Sequence, residues 1–309
     1  MHNPEILDSL FREAVYAIDA GDVNTLQRLL ATHSRLVHDR LDSPGAWLRD
    51  KVGNALEGFY RQPYLLWFVA EDPVRNDKLP RNIAEVARTI IHAAEREGVD
   101  SLREQLDYAL RLVSWSWVAR KCEVQIELID VLIDAGASPV DSITHDALVN
   151  GNLSAAVRLV ERGAKLTLAT ALCLERWEDI TRLARTASVK DKQVGLVLAS
   201  LNGRAEALAR LIVLGVDLNA YSTDIYTHAT ALHQAVCSGS LEAVKVLVEA
   251  GAELGTKDRT WDGTPLEWAE YYIREAKGDG AGIAYPEIAA YLREKSANHK
   301  IYFQSPNPS

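Results

Sequence analysis

His233 and Cys237 stand four residues apart in the stretch TALHQAVC, a spacing that sets both on one face of a helix. A cysteine within reach of a histidine is the beginning of a nucleophilic pair. No third residue is placed to orient the histidine and no oxyanion donor is suggested, so the pair stops short of a catalytic set. His145 and Asp146 are adjacent and would leave a helix in different directions, which is not the His-x-x-x-His spacing that a metal site shared with His228 and His233 would need. His33 and His92 have no partners in sequence and read as helix-surface or turn residues. Neither an enzyme nor a metal or other cofactor is expected.

The richer chemistry is aromatic. Trp, Tyr and Arg anchor protein interfaces because they cover large area at little cost in rotamer entropy, and the chain holds seven tryptophans and eleven tyrosines. Trp261, in KDRTWDGTP, and Tyr221 and Tyr226, in YSTDIYTH, fall in loops and read as exposed contacts, with Asp224, Arg259 and Asp262 beside them. Trp268, Tyr271 and Tyr272 follow on the next helix and complete the candidate partner-binding set. Trp67, Trp115 and Trp177 read as core, although in SWSW (Ser114–Trp117) two rings so spaced cannot both be buried on one narrow stripe. Asp217, Glu253, Asp258 and Asp262 form an acidic rim, which as a solvated edge keeps the protein soluble and as a functional one attracts a basic peptide.

These residues are positioned by a repeat. GNLSAAVRLVERG (Gly151–Gly163), GRAEALARLIVLG (Gly203–Gly215) and GSLEAVKVLVEAG (Gly239–Gly251) align without a gap, and fixed self-similarity outranks any single motif as evidence of architecture. Each copy carries Ala four residues in (Ala155, Ala207, Ala243) and an apolar pair later (Leu159 and Val160, Leu211 and Ile212, Leu247 and Val248). The alanine lets two antiparallel helices approach, the pair fills their shared core, and the closing glycine suits a left-handed helix end. One such unit cannot bury both its faces and needs neighbours.

TALHQA (Thr230–Ala235) and TPLEWA (Thr264–Ala269) resemble the Thr-Pro-Leu-His-x-Ala signature of ankyrin repeats, followed by the family's glycine turn, second helix and Gly-Ala ending. The resemblance is plainest over 141–294 and is looser upstream, in AGDVNTLQRLL (within Phe11–His38), Tyr64–Ala94 and Leu102–Pro139. It implies an all-α fold, a single solenoid of about eight helix-pair units with short hairpin loops over 1–295. Residues 1–60 would be a first unit and an irregular loop, 61–140 diverged repeats and 141–295 clearer ones, with 296–309 a flexible tail. It implies a structural His233, bonded to neighbouring loop backbone, and a function of binding a protein through the concave groove and hairpin tips. The glycines at 136, 163, 215 and 251 are unevenly spaced for a unit of about 33 residues, so a degenerate unit is expected at Leu168–Ala187 and an insertion at Tyr221–His228. Irregular loops are expected at Asp39–Arg61 and Glu71–Arg81. This diverged spacing resembles bacterial members of the family.

Composition narrows the rest. A net charge of -9 argues against a nucleic-acid partner, which needs gathered Lys and Arg. No apolar run suits a bilayer, and the acidic residues near the N-terminus do not suit a secretory leader. Three cysteines, Cys122, Cys173 and Cys237, make neither a disulfide framework nor a C-x-x-C site and fit a reducing cytoplasm. A monomer is favoured. Two other readings stay open: a small-molecule or enzymatic pocket walled by the loops Asp39–Arg61 and Tyr221–His228, and an inhibitor or immunity-type protein whose acidic rim masks a basic target.

Overall fold

Apolar residues recur at helical spacing along the chain, and every regular element among the described residues is a helix. The computed structural model describes residues 4–140, 142–275 and 284–304. The chain divides into two compact units, residues 1–165 and 166–309.

The N-terminal unit contains α1 (Pro4–Ala20), α2 (Val23–Thr32), α3 (Arg35–His38), α4 (Ala46–Val52), α5 (Ile83–Arg96), α6 (Leu102–Trp115), α7 (Trp117–Lys121), α8 (Gln125–Asp134), α9 (Ile143–Val149) and α10 (Leu153–Glu161). Between α4 and α5 run two 3-10 segments, Gly53–Glu57 and Leu65–Ala70. Each of the six residues of the second, LLWFVA, is buried, and it packs on α1, α5 and α6. Phe11, Tyr60, Trp67 and Phe68 meet there edge to face or tilted. The segment Asp39–Arg61, expected to be irregular, instead holds α4 and the first 3-10 segment. Asp8 fixes that helix by accepting from the Gly45 N–H at 2.8 Å and the Trp47 indole at 2.7 Å, a long-range tie with no local sequence signal. Glu71–Arg81 has no helix.

The SWSW stretch is resolved by a one-residue break. Ser116 leaves α6 in an extended conformation and caps α7 by accepting from the Ala119 N–H, so the rings diverge. Trp67 is buried, Trp115 is half-buried against Phe59, and Trp117 is exposed beside Lys121.

The C-terminal unit contains α11 (Leu168–Cys173), α12 (Trp177–Ala184), α13 (Val189–Leu201), α14 (Ala205–Ile212), α15 (Ala231–Cys237), α16 (Leu241–Glu249), α17 (Pro265–Glu275) and α18 (Tyr285–Gln304). Its core joins Leu172, Leu196, Leu211, Leu232, Leu247 and Leu292. Gly195 lets α13 close on α11, since a Cβ there would stand 2.7 Å from a Leu172 methyl. Leu168–Ala187 keeps two helices, and Trp177 is half-buried under Arg210. Residues 221–228 have no helix. The tail expected from Ser296 continues α18 as far as Gln304, because no Gly or Pro interrupts it after Pro286 in its first turn; residues 305–309 lie outside the described ones.

A turn motif recurs in both units. Gly21, Gly151 and Gly203 take φ of 67°, 67° and 64°, the left-handed region that glycine enters without steric cost. In each, the next N–H bonds to the carbonyl of a buried alanine five residues back: Asp22 to Ala17, Asn152 to Ala147, Arg204 to Ala199. Two turns keep the geometry without the glycine. Glu123 (φ 61°) and Glu175 (φ 54°) stand in its place, with Val124 bonding to Ala119 and Arg176 to Ala171. This is the double-bonded helix end in which a glycine is usual but not obligatory.

Candidate functional site

The candidate contacts gather on the C-terminal unit, and Asp258 organises them. The residue is 3% exposed, and its carboxylate accepts four hydrogen bonds: from the N–H groups of Thr260 at 2.8 Å, Trp261 at 2.7 Å and Gly263 at 2.9 Å, and from the Trp268 indole at 2.9 Å. Burial alone would raise its pKa, but these bonds outweigh burial and hold it at about 2. The Asp258 N–H also closes the loop on the Gly263 carbonyl at 2.8 Å. Asp258 is therefore a buried brace and not the solvated rim residue that its charge suggested.

Neighbouring sequence fits this loop to the helices. Thr230 and His233 form a capping box at the start of α15, as do Thr264 and Glu267 at α17, where Pro265 takes the first helical position. His233 is fully buried; its Nδ1 accepts from the Thr230 N–H and hydroxyl, and its Nε2–H donates to the Gly263 carbonyl at 3.0 Å. Burial lowers its pKa. Both ring nitrogens are thus occupied. Cys237 takes its hydrogen bond from the Tyr272 hydroxyl at 3.1 Å, and burial raises its pKa. The four-residue spacing serves packing, and among the described residues no base hydrogen-bonds the thiol. Asp146 pairs with Arg111 at 3.0 Å, and among the described residues no three of His, Cys, Asp and Glu gather to hold a metal ion.

The nine sequence-predicted contact residues separate into two groups. Trp261 is 70% exposed and Tyr271 52% exposed, and Asp224, Arg259 and Asp262 are also on the surface. The rest are half-buried and engaged within the unit. Tyr221 donates to the Lys257 carbonyl at 2.6 Å beneath the Arg259 guanidinium, 3.8 Å from its ring. Tyr226 lies beside His228, which meets both Trp261 and Trp268. Tyr272 stacks on Tyr285 at 4.9 Å. Lys190 and Lys257 pair with Asp224 at 2.9 Å and Asp262 at 2.5 Å, which offsets much of the acidity of this edge. Between Trp261, Trp268, Tyr271, Tyr272 and Arg274 lies an open recess of about 800 Å³, with Glu267 and Glu270 on its border. Sequence reasoning missed Lys190 and Lys257, because a pair across two loops has no spacing rule. For Asp258 a signal existed: an Asp ahead of a Gly-containing loop tip accepts from the loop's own N–H groups.

Residues 178–301 match the family model for ankyrin repeats in three copies. This segment is an ankyrin-repeat region. The ankyrin signature was thus legible in TALHQA and TPLEWA, both inside the matched stretch. Over 82 residues, 26% of this chain, the sequence is 37% identical to serine/threonine-protein kinase 12 of Arabidopsis thaliana and covers 17% of it. Over 62 residues, 20% of the chain, it is 45% identical to protein phosphatase 1 regulatory subunit 27 of Mus musculus and covers 32% of it; the Homo sapiens counterpart is 44% identical over the same length. The chain spans less than a third of the length of these curated relatives. Ankyrin repeats indicate a protein-interaction module. No helix among the described residues is long and apolar enough to cross a membrane.

Proposed function

We propose that the ankyrin repeats of the C-terminal unit bind a segment of a partner protein, with Trp261 and Tyr271 as anchors and Asp224, Arg259 and Asp262 at the border. The observation that carries this reading is an indole 70% exposed on a loop whose backbone is braced by Asp258. A large ring held still in solvent loses little entropy on docking, which is what an interface anchor requires. The half-buried Tyr221, Tyr226, Trp268 and Tyr272 act in this reading as the bed that holds the anchors. Because Lys190 and Lys257 offset the acidic edge, ring burial and not net charge supplies the affinity, and that favours an ordinary docking role over the masking of a basic target. The named relatives, a kinase and a regulatory subunit, carry similar segments beside different activities, which supports docking over chemistry.

The same reading extends upstream. The alanine-and-glycine turns at Gly21, Glu123 and Gly151 repeat those at Glu175 and Gly203, which supports diverged copies of one helix-pair unit along 1–295. Cys122, Cys173 and Cys237 are unpaired, in keeping with a reducing cytoplasm.

The test is a photoreactive residue at position 261. It is expected to crosslink a polypeptide in native lysate, and the crosslink is expected to vanish when Tyr271→Ala is added, with helicity and melting temperature unchanged. A crosslink indifferent to Tyr271, or its absence in the parent, removes this surface as the binding site.

A further inference from the structure

The N-terminal unit holds a second recess, about 330 Å³, lined by Phe59, Asp72, Trp115, Asp146, Val149 and Asn150. That volume lies at the lower end of small-molecule pockets, roughly 300–1,000 Å³. Its walls come from distant points of the sequence and were not grouped by any spacing. Phe59 meets the Trp115 indole edge to face at 5.8 Å. Asp146 is oriented by the Arg111 Nε at 3.0 Å, and that guanidinium sits 4.9 Å from the centre of the Trp115 ring. Asn150 donates its amide to the Asp146 carbonyl at 3.0 Å, which leaves its Oδ1 as an acceptor.

Asp72 differs from its neighbour. Glu71 is buried, accepts from the N–H groups of Arg75 at 2.7 Å and of Asn76 and Asp77, and pairs with the Arg75 guanidinium at 2.7 Å, which in turn reaches Asp19 at 2.9 Å. This network fixes the backbone from which Asp72 projects. Asp72 itself, half-buried, has no hydrogen bond or ion pair among the described residues. Burial, with the Glu71 charge added, pushes its carboxyl up to about 6. The recess is thus lined by two aspartates, an asparagine and two aromatic rings, and among the described residues no cationic side chain lines it, although the Arg111 guanidinium pairs with Asp146 and sits over the Trp115 ring. Acceptors beside aromatic faces suit a ligand that brings both N–H donors and positive charge.

We propose that this recess binds an organic cation, an alkylammonium or guanidinium, with its N–H groups on Asp72 and its body against Trp115 and Phe59. Two sources share that chemistry: a small free amine, and a Lys or Arg side chain of a polypeptide. The proposal is independent of the C-terminal patch.

Titration with n-butylammonium, followed through the Trp115 indole N–H resonance and by calorimetry, is expected to give saturable binding of roughly millimolar affinity. n-Butanol, the uncharged counterpart, is expected to leave that resonance in place. Asp72→Asn is expected to weaken n-butylammonium by about ten-fold, a loss of about 1.4 kcal/mol, with melting unimpaired because no described residue bonds to that carboxylate. Trp115→Phe, read by calorimetry, is a second variant and is expected to weaken binding less. A blocked Gly-Lys-Gly peptide distinguishes the sources: tighter binding than n-butylammonium assigns the site to a polypeptide, weaker binding to a free amine. Equal responses to n-butylammonium and n-butanol, or binding unchanged in Asp72→Asn, would overturn the proposal.

Discussion

Asp258 in the C-terminal unit is buried and Asp72 in the N-terminal unit half-buried, and their surroundings push them in opposite directions. Asp258 takes four hydrogen bonds and is held at about 2; Asp72 takes none and is pushed up to about 6. Desolvation raises both, and the Glu71 charge adds to it at Asp72, whereas at Asp258 the donors outweigh it. A carboxylate whose lone pairs are all used by its own chain is a structural part, and the loop it braces can present other groups. A carboxylate left without donors beside a cavity is a place where a ligand can supply them.

The largest effect should come from Asp72's own neighbour. Glu71→Ala leaves the Arg75 guanidinium, 2% exposed, with Asp19 as its one counterion among the described residues, and removing one partner of a buried pair costs about 3–5 kcal/mol. Denaturant unfolding should show a loss of that order, while Asp72→Ala, one residue on, should cost no stability. Equal losses at both positions would mean that Asp72 has a partner.

Asp258→Ala comes next. It strands three backbone N–H groups and an indole N–H, and orphaned donors cost about 1–3 kcal/mol each when water cannot reach them. With water entering an opened loop tip, about 3 kcal/mol is expected in thermal unfolding, together with increased mobility of the Trp261 indole. If Asp258→Ala leaves Trp261 as ordered as before, the loop is not braced from that carboxylate and the anchor argument weakens with it.

The pH dependence separates the two aspartates by sign. Asp258 has its folded pKa depressed below the ordinary 3.8 to about 2, so its stabilisation is complete above 3.8 and is lost as pH falls from about 4 to 2. Asp72 has its folded pKa raised to about 6, so its neutral form is favoured in the fold at low pH and the advantage is lost as pH rises from about 4 to 6. Asp72→Asn should therefore match the parent near pH 4 and exceed it above pH 6, whereas Asp258→Asn should fall short of the parent above pH 4 and converge on it near pH 2. Melting curves across this range check both, and a parent-minus-Asp72→Asn difference that is flat with pH would place Asp72 in water.

The two regions also differ in how far the sequence disclosed them. In the C-terminal unit each element repeats, so Gly203, Gly239 and Gly251, the pairs such as Leu247 with Val248, and the boxes Thr230–His233 and Thr264–Glu267 announce helix ends and core within a few residues of one another. Local signals are legible because the interactions they report are local. The recess of the N-terminal unit assembles Phe59, Asp72, Trp115, Asp146 and Asn150 by tertiary packing alone, and the fully buried LLWFVA run adopts a 3-10 course that no periodicity distinguishes from a strand or a helix. Even in the C-terminal unit the reading was incomplete: Asp258 was taken for a rim charge although three of its four donors, at 260, 261 and 263, are local, and only the Trp268 indole, a turn into the next helix, had no nearby signal.

The smallest effect tests the repeat itself. Glu175 occupies with φ 54° the turn position that Gly203 occupies with φ 64°, and a left-handed conformation costs a residue with a Cβ about 1 kcal/mol. Glu175→Gly removes that cost while freeing the unfolded chain, which takes back part of the gain, and its ion pair with Arg204 is long at 4.0 Å. A net stabilisation of up to about 0.5 kcal/mol is expected. Gly203→Ala meets both penalties, since its new Cβ would stand 2.9 Å from the Ser240 Cβ, and a loss of about 1 kcal/mol or more is expected. Opposite signs at these two positions, measured by denaturant unfolding, would mean that one backbone turn is conserved in geometry where it has drifted in sequence. Matching signs would mean that Glu175 earns its place through a contact of its own and that the degenerate pair α11–α12 follows a different turn logic from its neighbours.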